Sequence, residues 1–377
     1  MSEGKYMIYA DNAATTRLDP DVFEAMKPFL LEEYGNASQP YSFARAPKKA
    51  MKEARVMIAD SIGASPEEIY FTSGGTESDN WAIKGPSFLN YKFRATITTA
   101  FEHHAVLHAC EAIERQGYPV AYIWPNREGV VTPDGLDSVI TNETLLVSVM
   151  FANNEIGSIQ PIKELCATAH KYGALFHTDA VQAVGHVPID VKDLQVDMLS
   201  ASAHKFNGPK GIGFLYIRNG VEFPSFMDGG AQEFGRRAGT ENVAAIVGMA
   251  TALKSNCDAI ELNRSHILSL EMTLLDQLNA SGISYIRNGG TNTLPGLLSL
   301  SFPGKSGETI LHRLDLMGIS ISTGSACDSK NTEISHVLKA IKLDEEYALG
   351  TVRISLSKNN TAEDATRIAE ALIKVVR

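Results

Sequence analysis

The chain has 377 residues, with 44% hydrophobic and 21% charged side chains and a formal net charge of −10. That composition excludes a disordered, collagen-like or disulfide-stapled chain. The acidic balance argues against nonspecific nucleic-acid binding, which runs on phosphate neutralisation.

Met1 to Ala10 has no apolar core and no cleavage site, so nothing there reads as a signal peptide. No run approaches the ~20 apolar residues of a membrane span. Both features point to a cytoplasmic protein with reduced thiols. The four cysteines, Cys110, Cys166, Cys257 and Cys327, contain no C-x-x-C pair, so no metal site is expected.

Short β-rich runs are predicted at Ile69 to Thr72, Ala95 to Thr99, Leu145 to Phe151, Ala174 to Thr178, Asp197 to Ala201 and Gly213 to Ile217. Helical stretches such as Pro161 to Tyr172 lie between several of them. This alternation predicts an α/β layer with a mostly parallel sheet, whose ligands bind at the C-terminal strand ends. The last third reads as a smaller α+β unit. Ile267, Leu270, Leu274 and Leu278 recur at helical spacing. Leu298, Leu300 and Phe302 alternate with serines as in a half-buried strand, and so do Val352, Ile354 and Leu356 with Arg353, Ser355 and Ser357. A closing helix is predicted from Thr361, with Asp364 completing a capping-box-like pair. The boundary is placed near residue 260, where Lys254 to Arg264 turns polar.

Four motifs carry chemistry. Thr72-Ser-Gly-Gly-Thr-Glu-Ser follows a strand and precedes a helix, so Gly74, Gly75 and Thr76 would suit one phosphate. There is no Walker lysine and no G-x-G-x-x-G, which disfavours nucleoside triphosphates and dinucleotides. Phe101-Glu-His-His places His103 at a strand end, where it would stack on a planar ring and move protons. His177-Thr-Asp-Ala places Asp179 at the end of an apolar run, able to hold a pyridinium nitrogen protonated. Ser202-Ala-His-Lys places Lys205 at a strand end among small residues, the setting of an imine-forming lysine. A lysine, an aspartate, a phosphate cup and a ring-stacking group together are the parts of a pyridoxal-phosphate site.

At these residues the sequence resembles the cysteine desulfurases, pyridoxal-phosphate enzymes of the fold-type-I class. The matching stretches include Tyr9-Ala-Asp-Asn-Ala-Ala-Thr-Thr, Asn153-Asn-Glu-Ile-Gly, Arg236-Arg-Ala-Gly-Thr-Glu-Asn, Gly324-Ser-Ala-Cys and Ser335-His-Val-Leu. The last two resemble the subgroup with a long catalytic loop. The resemblance implies a large unit over residues 16–260 with a mostly parallel seven-stranded sheet. It implies a small unit from residues 1–15 and 261–377. It implies a catalytic trio of Lys205, His103 and Cys327, with pyridoxal 5′-phosphate carried on Lys205. Asp179 would pair with the ring nitrogen, Gln182 with the ring hydroxyl, and His103 would stack on the ring. Thr76, Ser202 and His204 would hold the phosphate, with Gly75 giving backbone approach. Thr240 would reach the phosphate of the other subunit of a homodimer. Asn154, beside the cofactor, and Arg353 would bind L-cysteine, Arg353 through the carboxylate. Cys327 would take the sulfur as a persulfide and pass it to an acceptor such as an iron–sulfur scaffold or a tRNA-thiolation protein.

Cys166 and Cys110 read as packing residues. Two segments depart from the family pattern: Asp228, Ala231 and Phe234 replace a histidine, a glycine and an arginine, and Ala37 to Tyr41 lacks the usual Asn-Pro-Ser and histidine. Both are expected near the substrate entrance. A selenocysteine lyase or an aminotransferase is the alternative within the same chemistry, and Cys327 is the discriminating residue.

Overall fold

A computed structural model describes residues 7–87, 89, 94–323 and 334–377. Cys327 lies outside the described residues. After a two-residue strand β1 (Ile8–Tyr9), seven strands form the main sheet: β2 (Ile69–Thr72), β3 (Ala95–Thr99), β4 (Val120–Ile123), β5 (Thr144–Ser148), β6 (Leu175–Asp179), β7 (Met198–Ser202) and β8 (Gly213–Ile217). Their order is β2-β8-β7-β6-β5-β3-β4. Strand β8 runs antiparallel to both its neighbours and the other pairs are parallel. Every residue of β5, β7 and β8 is buried, as expected where helices cover both faces of a sheet.

Strands β2, β3 and β8 have the predicted bounds. Strand β5 stops at Ser148 rather than Phe151. Beyond it the N–H groups of Val149 and Phe151 still donate to His177 and Asp179 carbonyls, so the chain follows β6 as it turns towards Asn153. Strand β4 was not predicted. It is an edge strand, half-buried over most of its length and paired with β3 alone, so it lacks a strong apolar pattern.

The second layer holds β9 (Ile286–Asn288), β10 (Leu297–Ser301), β11 (Ile319–Ser320) and β12 (Thr351–Ser355). Antiparallel β12-β10-β9 form one sheet, and β11 pairs in parallel with β1. Helices Ile260–Ala280 and Ala362–Val376 supply Leu270, Leu274, Leu278, Ile368 and Leu372 to its core. Thr361 and Asp364 close the predicted capping box in both directions, at 3.1 and 2.9 Å. The polar stretch Lys254 to Arg264 lies in two helices, Val243–Asp258 and Ile260–Ala280, which meet at Ala259 with a 72° bend. No single helix among the described residues is long and apolar enough to cross a membrane.

Strands β10 and β12 are buried on both faces, not half-buried as their alternation predicts. Their polar face is covered by other polar groups. Asn288 donates to Ser299 and Ser301 at 3.1 and 2.8 Å. Ser355 accepts from the Ala13 N–H at 2.9 Å. That last contact belongs to the segment after β1, which passes from β12 to the main sheet, where the Thr16 N–H donates to the His204 carbonyl at 2.9 Å.

Leu372 is fully buried, so Leu372→Ala is expected to cost about 2–5 kcal/mol through lost transfer energy and the cavity left behind. Urea unfolding with an unchanged m-value checks this; a loss below ~1 kcal/mol would contradict the packing described.

Candidate active site

The main sheet brings chemistry to the C-terminal ends of its parallel strands. Strand β6 ends on Asp179 and β7 on Ser202, with Asp179 opposite Ser200 in register. A tight turn, Ala203–Lys205, then carries Lys205 off the sheet. Its Nζ donates to the carbonyls of Ala13 and Ala14 at 2.6 and 2.9 Å. The Ala13 carbonyl also accepts from Gln182 Nε2 at 2.8 Å. Lys205 is therefore positioned by backbone acceptors from the start of the chain, not only by the small residues around it.

The phosphate motif lies where β2 passes into helix Gly75–Ser87. The first N–H groups of a helix have no intrahelical acceptor and carry its positive dipole end. A side chain at Gly75 would place its Cβ 2.5 Å from Val181 Cγ2, so only glycine lets the two segments approach this closely. Glu77 accepts from the Ser73 N–H at 2.8 Å and forms a two-bond pair with Arg237, at 2.8 and 3.1 Å. That pairing pulls Glu77 below its ordinary range against the opposing effect of burial and neutralises a carboxylate beside the anion site.

His103 caps helix His104–Glu114, its Nδ1 accepting from the Ala105 N–H at 3.1 Å. The neutral ring therefore carries its proton on Nε2. Burial first, then the charge of Lys205 and the neighbouring histidines, pushes His103 down to about 4. Burial raises Asp179, against the pull of the Val181 N–H on its Oδ1 at 2.9 Å and of Lys205. A cation opposite Asp179 would favour its ionised form. Arg353 is buried on β12, its Nη1 donating to the Asn154 carbonyl at 2.9 Å and its Nη2 pairing with Asp11 Oδ1 at 2.8 Å. Its Nε has no hydrogen-bond partner among the described residues, and a buried guanidinium N–H of that kind suits an incoming carboxylate.

These groups line one cavity of about 590 Å³. Gly75 and Thr76 lie at its helix end; Asp179, Gln182, Ser202, His204 and Lys205 lie at the ends of β6 and β7. His103, Asn154 and Arg353 complete it. His204 Nδ1 lies 3.1 Å from the Thr15 hydroxyl. The donor set fits pyridoxal phosphate: an amine, a carboxylate deep in the cavity and a glycine-lined helix start. Thr240 is not among the lining residues and is exposed. Cys110 and Cys166 are buried, with thiols pushed up to about 12 chiefly by desolvation, which agrees with packing roles.

Sequence reasoning missed the lysine-holding carbonyls of Ala13 and Ala14, and it missed Asp11, Glu77 and Asp79. The Asp-Asn-Ala-Ala-Thr-Thr motif signalled the first segment but not its function, because carbonyl roles leave no side-chain mark. Neither departing segment lines the cavity. Phe234 is exposed, with Arg55 over its ring at 5.2 Å and Tyr70 edge-on at 5.9 Å.

Residues 8–368 match the class-V aminotransferase family. The chain is 47% identical over 371 residues to a cysteine desulfurase IscS of Methanosarcina thermophila, covering 98% of this chain and 92% of that one. It is 43% identical over 373 residues to a putative cysteine desulfurase IscS 1 of Bacillus subtilis, with 98% of each chain covered. Among solved structures, a NifS-like protein superposes with a TM-score of 0.92 at 37% identity, covering 98% and 99% of the two chains. A protein described as SspA in complex with cysteine superposes at 0.83 and 35%, covering 94% and 100%. The chain belongs to the class-V aminotransferase family, and pyridoxal phosphate is its cofactor.

The low proton affinity of His103 has a consequence for the cofactor-free protein. Its folded pKa of about 4 lies below the ordinary 6.5. Its contribution to stability is therefore full above pH 6.5 and is lost as pH falls towards 4. Relative to His103→Gln, the wild type should lose stability across that window in urea titrations. A difference independent of pH would contradict the burial of a neutral ring.

Proposed function

We propose that this chain is a cysteine desulfurase that converts L-cysteine to L-alanine and passes the sulfur to Cys327 as a persulfide. One observation carries the reading: Lys205, Asp179, His103 and Arg353 line a single cavity beside a glycine-started helix. The names borne by the relatives support the same activity.

When bound, pyridoxal phosphate supplies an electron sink for the pair left at the substrate Cα. In this reading Gly75, Thr76, Ser202 and His204 would hold its phosphate, Asp179 would pair with the ring nitrogen, Gln182 with the ring hydroxyl, and His103 would stack on the ring. Arg353, oriented by Asp11 and the Asn154 carbonyl, binds the substrate carboxylate, with Asn154 beside it. Lys205 Nζ accepts the Cα proton. His103 moves a proton through Nε2, the atom left free by its bond to Ala105. The Cys327 thiolate attacks the substrate sulfur. An S–S bond forms as the C–S bond breaks, and the released electron pair stays on carbon, which is protonated to the methyl group of alanine. The sulfur then leaves Cys327 for an acceptor protein, an iron–sulfur scaffold or a tRNA-thiolation protein.

A division into residues 16–260 and residues 1–15 with 261–377 belongs to the same reading. It would set the substrate between the ends of the main sheet and β12. A homodimer belongs to it too. Phe23, Leu30, Leu31 and Tyr34 are exposed, and Tyr34 packs edge-on against exposed Phe43 at 5.1 Å. A patch of this kind marks an interaction surface. The Ser38 hydroxyl bonds Glu241 at 3.1 Å, which ties the Thr240 segment to the stretch between Tyr34 and Phe43. Thr240 would then serve the partner's phosphate, in keeping with its absence from its own cavity.

The cofactor-loaded protein should release alanine from L-cysteine and carry persulfide on Cys327. Cys327→Ser should lose about a hundredfold or more in alanine release. No alanine from the loaded wild type would overturn the proposal, and undiminished release by the variant would favour a lyase that does not use Cys327. Replacing Arg353 by Lys removes the fork and should lower kcat/KM roughly 10–100-fold, chiefly through KM. Substrate saturation curves check this; an unchanged KM would remove Arg353 from carboxylate binding.

A further inference from the structure

A buried ionisable side chain of the cavity is left unused by the chemistry above. Asp79 lies in the helix that starts at Gly75, is 1% exposed and lines the cavity. Its Oδ1 has no hydrogen-bond partner among the described residues and lies 3.7 Å from His177 Nε2. Ser200 stands where its hydroxyl can donate to the carboxyl, and Asp179 and Glu102 stand close enough to repel a negative charge on it.

His177 links Asp79 to the sheet. It projects from β6 two residues before Asp179, on the same face of the strand. Its Nδ1 lies 2.9 Å from the Ser148 hydroxyl on β5 and its Nε2 lies 2.9 Å from the Ser200 hydroxyl on β7. Full burial pushes His177 down to about 3, so the ring is neutral, with one donor and one acceptor. Each serine has one O–H to give. The hydrogen bonds therefore run in one direction along the row: either from Ser148 through His177 and Ser200 to Asp79, or the reverse. A neutral Asp79 closes the row in either sense. An ionised Asp79 would place a second buried anion beside Asp179, and two adjacent buried carboxylates do not both ionise.

We propose that Asp79 is a positioning residue for the cofactor's pyridine ring: an uncharged carboxylic acid, held by the Ser148–His177–Ser200 row, that supports Asp179 and leaves it the single negative charge opposite the ring nitrogen. The proposal rests on the reading of Asp179 as the ring-nitrogen partner. The burial-driven rise of Asp79 well above its ordinary range agrees with it. Asn at this position keeps the shape, a donor and the absence of charge; Ala keeps none of the hydrogen bonding.

The test is the ¹⁵N resonance of the ring nitrogen in holoenzyme loaded with ring-¹⁵N pyridoxal phosphate. It is recorded for wild type, Asp79→Asn, Asp79→Ala, Ser200→Ala and Asp179→Ala. Asp79→Asn should reproduce the wild-type resonance. Asp79→Ala should move it towards the unprotonated value, and Ser200→Ala should move it the same way by less. Should Asp79→Ala fail to fold, judged by thermal unfolding of the cofactor-free chain, Ser200→Ala carries the test alone. An Asp79→Asn shift as large as that of Asp79→Ala would show that Asp79 acts through charge and would overturn the proposal. Unmoved resonances in both Asp79→Ala and Ser200→Ala would overturn it as well. An unmoved resonance in Asp179→Ala would instead remove the ring-nitrogen assignment, and the proposal with it.

Discussion

The parallel pairing of β6 with β7 is the constraint on which the site depends. It sets Asp179 opposite Ser200 and ends β7 two residues beyond the end of β6. Side chains alternate along a strand, so a slip of one residue would turn Asp179 away from the cavity and His177 out of its row. The Ala203–Lys205 turn then needs only three residues to carry Lys205 into the cavity that Asp179 also lines. Both strands are almost wholly buried, which makes a slip costly and the register well specified. The reactive geometry is therefore inherited from core packing, with little left to loop conformation.

The second requirement is electrostatic. The cavity gathers two lysines, an arginine and several carboxyls, and most of these charges have a local answer. Lys205 rests on two carbonyls. Arg353 is divided between Asp11 and the Asn154 carbonyl. Glu77 is matched by Arg237. Histidines 103, 177 and 204 are held neutral mainly by burial. Buried charge without a partner is costly, and these pairings make a polar pocket compatible with a stable fold. They also keep the lysine and the guanidinium in place before any ligand arrives.

Much of this was legible in the sequence because it is written in side-chain identity. Gly75, His103, Asp179 and Lys205 each sit at a strand end flanked by turn residues, and the structure brings all four to one cavity. The helix start at Thr361 was legible from its capping pair. What escaped has physical reasons. Strand β4 is an edge with a weak pattern. The serines of β10 looked solvent-facing because alternation cannot tell water from a second polar layer, here Asn288. The hold of Ala13 and Ala14 on Lys205 spans about half the chain and uses backbone atoms alone. Asp79 reads as an ordinary helix acid; only its burial beside His177 and Asp179 sets it apart.

The central claim is that the β6–β7 geometry makes Lys205 the amine that carries the cofactor. Two lysines line the cavity, Lys205 and Lys210, so the claim is open to a direct measurement. Borohydride reduction of the loaded protein, followed by peptide mass mapping, fixes the cofactor to the lysine that holds it. The label is expected on Lys205 alone. A label on Lys210, or no label in protein shown spectroscopically to hold the cofactor, would contradict it.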